Sequence, residues 1–145
     1  MPSQLTPSTF LLFLRHAQTI WNTEQRYAGQ LEVPLSPEAS IQIMAITKRL
    51  ASEPIKAIYT SPLHRCQETI NPIAHHLHLK PVINQDLIER DLGEWQGRSA
   101  EELTAQHPEH RFPDSAYSGE FRIPEAETLE HLQTRVRATM DDIHS

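Results

Sequence analysis

"FLLFLRHAQT", Phe10 to Thr19, places five apolar residues directly before an arginine and a histidine. A continuous apolar run of this length suits a strand covered on both faces, as in a parallel sheet. Ligands of open α/β sheets bind beyond the carboxyl ends of the strands. Arg15 and His16 stand where this strand would end, so the stretch predicts a buried strand with a site at its tip.

Downstream, the same grammar repeats. Arg15 to Ser36 lacks a sustained period and contains Gly29 and Pro34, which reads as a loop with short turns. Ser36 and Pro37 are suited to cap and open a helix, with an apolar stripe of Ile41, Met44, Ala45 and Leu50 that ends before Pro54. Ala57 to Tyr59 is a second short strand closed by "TSP". Pro62 opens a helix carrying Leu63, Cys66, Ile70, Ile73 and Leu77, and Pro72 inside it implies a kink or break. Val82 and Ile83 form a third strand, and "SAEE" from Ser99 to Glu102 is a capping box. His107 to Ile123 reads as surface loop over a pocket mouth. Leu129, Leu132, Val136, Met140 and Ile143 then recur at helical spacing. Strands alternating with helices predict a parallel α/β sheet. The expected organisation is a flexible lead over 1–9 and one domain over 10–145.

Composition sets bounds on function. The 145 residues are 38% apolar and 22% charged, ordinary for a globular chain. A net charge of −6 disfavours non-specific binding to nucleic acid or an anionic membrane, while leaving room for a local basic pocket. Phe10 to Leu14 is too short to span a bilayer, and no secretion signal precedes it. Cys66 is the lone cysteine, so no internal disulfide forms, and a reducing cytoplasm is the expected setting.

Polar residues gather at the predicted strand ends. The first strand delivers Arg15 and His16, with Asn22 in the following loop. The second delivers Ser61, with Arg65 just inside the next helix. Glu89 and Arg90 follow the third. Arginine suits bidentate grip on phosphate oxygens. Histidine can act as a nucleophile, and a carboxylic acid can protonate a departing alkoxide. Spacing alone makes this a candidate anion site.

Five segments, in order, sharpen that reading. "LRHAQTIWN" (Leu14–Asn22) resembles the Leu-x-Arg-His-Gly-Glu-Thr motif of the histidine phosphatase superfamily, also called phosphoglycerate mutase-like, with Ala17 and Gln18 at the usual Gly and Glu. "YAGQLEVPLSPEA" (Tyr27–Ala39) is similar to the segment that follows it there. "IYTSPLHRCQET" (Ile58–Thr69) matches the stretch bearing a second arginine. "LIERDLGEWQG" (Leu87–Gly97) is similar to the stretch bearing an acid, and "PEAETLEHLQTRV" (Pro124–Val136) to a helix start, with Ala126 where Gly is usual.

The resemblance implies a three-layer α/β sandwich with a mostly parallel sheet. It implies His16 as the nucleophile that becomes phosphohistidine, and Glu89 as general acid and then base. Arg15 and Arg65 would clamp the phosphoryl oxygens, and Asn22 would bond the phosphate or hold the loop. Flanking guanidinium groups should lower the His16 pKa and keep the ring neutral for attack. Glu89 must start protonated, which a bound phosphate dianion favours. Asp86 and Glu94 are alternative acids. Members with mutase activity commonly carry a Tyr three residues after the acid; Leu92 stands there, which favours hydrolysis. No metal or cofactor is implied, and the expected partner is a small phosphorylated substrate.

One family feature is missing. Members carry a second catalytic histidine in a Ser-His-Gly-like motif ending a late strand beside the first. "DDIHS" (Asp141–Ser145) is not that motif. The expected fold is therefore C-terminally truncated: a fragment of a longer enzyme, a naturally shortened relative, or a chain completed by a partner. An open sheet interior would encourage copies to pair. A phosphoglycerate mutase and a non-catalytic phospho-ligand binder are the alternatives to hydrolysis. His75, His76 and His78 lack further ligands at metal-binding spacing and read as a solvated helix end. Trp21 and Trp95 read as packing anchors, and Cys66 as core.

Overall fold

Two short strands pair in parallel in the computed structural model, which describes residues 9–109 and 122–144. β1 (Tyr59–Thr60) lies beside β2 (Val82–Ile83), with Tyr59 opposite Val82 and Thr60 opposite Ile83. The Val82 N–H donates to the Ile58 carbonyl at 2.8 Å and the Asn84 N–H to the Thr60 carbonyl at 2.9 Å. Ile58 and Thr60 are buried while Tyr59 is exposed, the alternation of a pleated strand. A parallel pair needs a crossover, and here it is α3 (His64–His76). The predicted third strand is present as read, and the second, expected over Ala57–Tyr59, lies at Tyr59–Thr60.

The helices preceding and following these are α1 (Ile20–Thr23), α2 (Ala39–Leu50), α4 (Ala100–Gln106) and α5 (Leu129–His144). α2 packs against α3, and α5 against a one-turn 3-10 helix at Gln85–Leu87. The "SAEE" capping box forms as predicted. Ser99 Oγ accepts from the Glu102 N–H, and the Glu102 carboxylate accepts from the Ser99 N–H, both at 3.1 Å.

Four local expectations are corrected. Phe10 to Leu14 is not a buried strand: it pairs with nothing among the described residues, and its side chains are 41–89% exposed. An apolar run specifies what a strand needs on its faces, but the covering surface must come from elsewhere. Ser36 does not cap α2. That helix starts at Ala39 with Glu38 at the cap, and Ser36 Oγ donates instead to Gln18 Oε1 at 3.2 Å. On α2 itself Ile41, Met44 and Ala45 are exposed, while Ala39, Ile43, Ile46 and Leu50 are the more buried apolar positions. A helix with apolar residues on two sides leaves its inner face to tertiary packing. Pro72 does not break α3, which runs unbroken from His64 to His76.

A separate apolar cluster consolidates the loops. Leu92, Trp95, Leu103 and Ile123 are buried together, with Tyr27 and Ala126 against them. The Tyr27 and Trp95 rings lie 5.8 Å apart at 48°, a tilted aromatic contact. Trp95 is therefore a packing anchor, as expected. The expected lead over 1–9 lies almost wholly outside the described residues, as does residues 110–121 of the expected 107–123 loop.

Candidate active site

The loop after Phe10–Leu14 is tied down by its own polar side chains. Thr19 caps α1: its Oγ1 accepts from the Asn22 N–H at 3.2 Å, and Asn22 Oδ1 accepts from the Thr19 N–H at 2.9 Å. Short antiparallel pairing with 34–36 fixes the other side, through Ile20 N–H to Pro34 O and Ser36 N–H to Gln18 O. His16 is held at the mouth of this loop. Its Nδ1 lies 2.7 Å from the Ala17 carbonyl oxygen. A carbonyl can only accept, so Nδ1 carries the hydrogen and Nε2 of the neutral ring keeps its lone pair.

The electrostatics favour that neutral ring. Half-burial lowers the His16 pKa below 6.5 and is the largest cause, with the Arg65 and Arg15 cations adding to it. The bond to the Ala17 carbonyl and the charge of Glu89 act in the opposite direction. The direction matches the expectation from flanking guanidinium groups, although burial outweighs them. The charges of Arg15, Arg65 and Glu89 are all felt at the His16 ring.

Arg65 is 1% exposed, unusual for arginine. Its Nη1 donates to the Leu31 carbonyl at 2.9 Å and its Nη2 to the Gly29 carbonyl at 2.7 Å. Nε has no hydrogen-bond partner among the described residues. A buried guanidinium held by neutral carbonyls keeps both its charge and a spare donor, which is chemistry suited to an anionic oxygen. Gly29 makes this turn possible. Its φ is +51°, and a Cβ there would collide with the Gln96 side chain.

Two predicted residues stand apart. Asn22 spends its side-chain oxygen on Thr19, so it holds the loop. Arg90 turns away toward α5, its Nε donating to the Glu127 carbonyl at 2.9 Å. Glu89 is exposed, and its Oε1 accepts from the Arg90 N–H at 2.7 Å.

The sequence reading missed Thr69. This buried hydroxyl accepts from the Ala17 N–H at 2.9 Å and donates to the Arg65 carbonyl at 2.7 Å. One turn after Arg65 on the same helical face, it was a position the i, i+4 rule could have flagged.

This geometry coincides with a family pattern. The description "Histidine phosphatase superfamily (branch 1)" matches residues 11–145. The chain belongs to the histidine phosphatase superfamily. It is 33% identical over 131 residues to a Yersinia enterocolitica protein named "Probable phosphoglycerate mutase GpmB", covering 90% of this chain and 61% of that one. It is 31% identical over 135 residues to phosphoserine phosphatase 1 of Hydrogenobacter thermophilus, covering 92% and 63%. Among solved structures, a mycobacterial glucosyl-3-phosphoglycerate phosphatase complexed with VO3 superimposes with a TM-score of 0.80 at 25% identity, covering 88% of this chain and 61% of that one. The fold of this superfamily member is therefore α/β and phosphoglycerate mutase-like. The chain spans about 60% of the length of the curated relatives it matches. Among the described residues, no helix is long and apolar enough to cross a membrane.

Proposed function

We propose that this chain carries the nucleophilic centre of a phosphomonoester hydrolase, built as one domain from residue 10 onward. The observation that carries the reading is the His16 ring. Its Nδ1–H is engaged by Ala17, and its Nε2 is left basic beside a buried guanidinium. Nε2 attacks phosphorus, and the bond to the leaving oxygen breaks as Glu89 gives that oxygen its proton. Arg65 and Arg15 stabilise the charge on the transferring phosphoryl group. Water then attacks the phosphohistidine, Glu89 takes a proton from it, and the N–P bond breaks. Asn22 acts by holding the loop that carries His16.

Hydrolysis is favoured over mutase chemistry by the position three residues beyond Glu89. Leu92 is 3% exposed, packed with Trp95, Leu103 and Ile123, and offers no hydroxyl to a sugar phosphate. A small phosphorylated substrate fits the buried cation of Arg65, and a cytoplasmic setting fits the single cysteine. The exposed Phe10–Leu14 run fits a fully active form in which further chain or a second copy covers that face.

The test is phosphate release from a generic phosphomonoester, combined with trapping of an acid-labile phosphoprotein, in the unchanged chain and in His16→Ala. Release and labelling that both vanish in His16→Ala are the expected result. Isomer exchange without net release indicates a mutase. Tight phosphate binding without turnover indicates a phospho-ligand binder.

A further inference from the structure

Glu89, whose charge is felt at His16, stands on an exposed stretch after β2, and a general acid must be held to a fraction of an ångström to be effective. Its backbone is pinned from two sides. Gln30 Nε2 donates to the Glu89 carbonyl at 2.9 Å, and Arg135 Nη2 from α5 approaches the same oxygen at 3.4 Å. The Arg135 contact is long, and that guanidinium is mainly engaged with Glu127 and with the Asp86 carbonyl at 2.6 Å. Gln30 makes the stronger grip on Glu89.

Gln30 is itself fixed. Its N–H donates to Gln96 Oε1 at 2.6 Å. It also lies between Gly29 and Leu31, whose carbonyls hold the two terminal nitrogens of Arg65. One residue thus connects the turn that seats the buried cation with the segment that carries the acid. We propose that Gln30 is a positioning residue for Glu89, setting the acid's place relative to the phosphoryl group held at Arg65. This rests on the hydrolase reading above. Gln30 touches no reacting atom; it acts through the Glu89 backbone.

A positioning role for the acid has a signature that loss of general integrity lacks. A departing alkoxide needs a proton, whereas a nitrophenolate leaves well without one. Gln30→Met keeps length and removes the amide donor, and Gln30→Lys restores a donor of similar reach. Values of kcat/KM are compared for an alkyl phosphate and a nitrophenyl phosphate, with inorganic phosphate affinity measured in parallel. Gln30→Met is expected to lower kcat/KM about tenfold on the alkyl ester, within the ~100- to 10,000-fold scale of general acid catalysis. The nitrophenyl ester and phosphate affinity should stay within about twofold, and Gln30→Lys should recover most of the loss. Equal losses on both esters, no loss on either, or a tenfold weaker phosphate affinity overturns the assignment. If the unchanged chain turns over neither ester, the hydrolase reading itself fails, and the assignment falls with it.

Discussion

The Ala17 backbone N–H donates to Thr69 Oγ1 at 2.9 Å, joining the residue after the candidate nucleophile to the helix that carries Arg65. Thr69 Oγ1 passes its own hydrogen to the Arg65 carbonyl at 2.7 Å. His16 and Arg65, 49 positions apart in the sequence, are thereby set in register by one buried hydroxyl.

Thr69→Val keeps the shape and removes the hydroxyl. The Ala17 N–H is then buried without a partner, at a cost of about 1–3 kcal/mol. The denaturation midpoint should fall accordingly. Thr69→Ser, which keeps the bond and loses a methyl, should fall less. Equal midpoints for the valine variant and the parent chain would refute the role given to this bond.

His16 has a lowered pKa, so protonation of the folded chain lags behind that of a free histidine. The folded state prefers the neutral ring. The stability this contributes is complete above pH ~6.5 and is lost as pH falls from there through the folded pKa. In an NMR titration the His16 ring should therefore show a midpoint below 6.5. Arg15→Gln removes one of the cations that oppose protonation, so the midpoint should move upward. The acid limb of kcat/KM should move with it. A midpoint that stays put, or moves down, contradicts the reading that the Arg15 charge acts on the ring.

Gly29→Ala should be poorly tolerated for two separate reasons. Its φ of +51° strains any residue with a Cβ, and that Cβ meets the Gln96 side chain. Backbone strain of this kind costs about 1–3 kcal/mol. The larger effect should fall on anion binding, because the Gly29 carbonyl seats Arg65 Nη2. Phosphate affinity should drop more than thermal stability does. A variant that melts earlier yet binds phosphate normally would show that this carbonyl is dispensable.

What the sequence made legible was whatever local chemistry controls. "SAEE" names its own cap, and Tyr59–Thr60 and Val82–Ile83 are strands one crossover apart. The charges of Arg15, Arg65 and Glu89, singled out from the sequence, are felt at the His16 ring, although the run before Arg15 and His16 is not a strand. What escaped depends on partners far along the chain. The Thr69 bond spans 52 residues and the Gln30 bond 59, and neither polar side chain advertises its acceptor. Phe10–Leu14 failed in the opposite way. Its composition states a need for burial, but not which surface meets it. The stripe on α2 was misassigned because apolar residues on two sides of a helix leave periodicity without a unique inner face.

Cys66 neighbours Arg65 in the sequence, and its chemistry separates a nucleophilic thiol from a packing one. Burial pushes its pKa up from 9.0, and this outweighs the Arg65 charge and the bond to Ser61 that favour the thiolate. At about pH 8 the folded chain should react with iodoacetamide roughly tenfold more slowly than the chain in concentrated guanidinium chloride, since the thiolate is the reactive form. Cys66→Ala should leave His16-dependent phosphate release nearly unchanged, because the thiol takes no part in phosphoryl transfer. Rapid alkylation of the folded chain, or loss of release in Cys66→Ala alongside a normal melting temperature, would place the thiol in the reaction and displace His16 as its nucleophile.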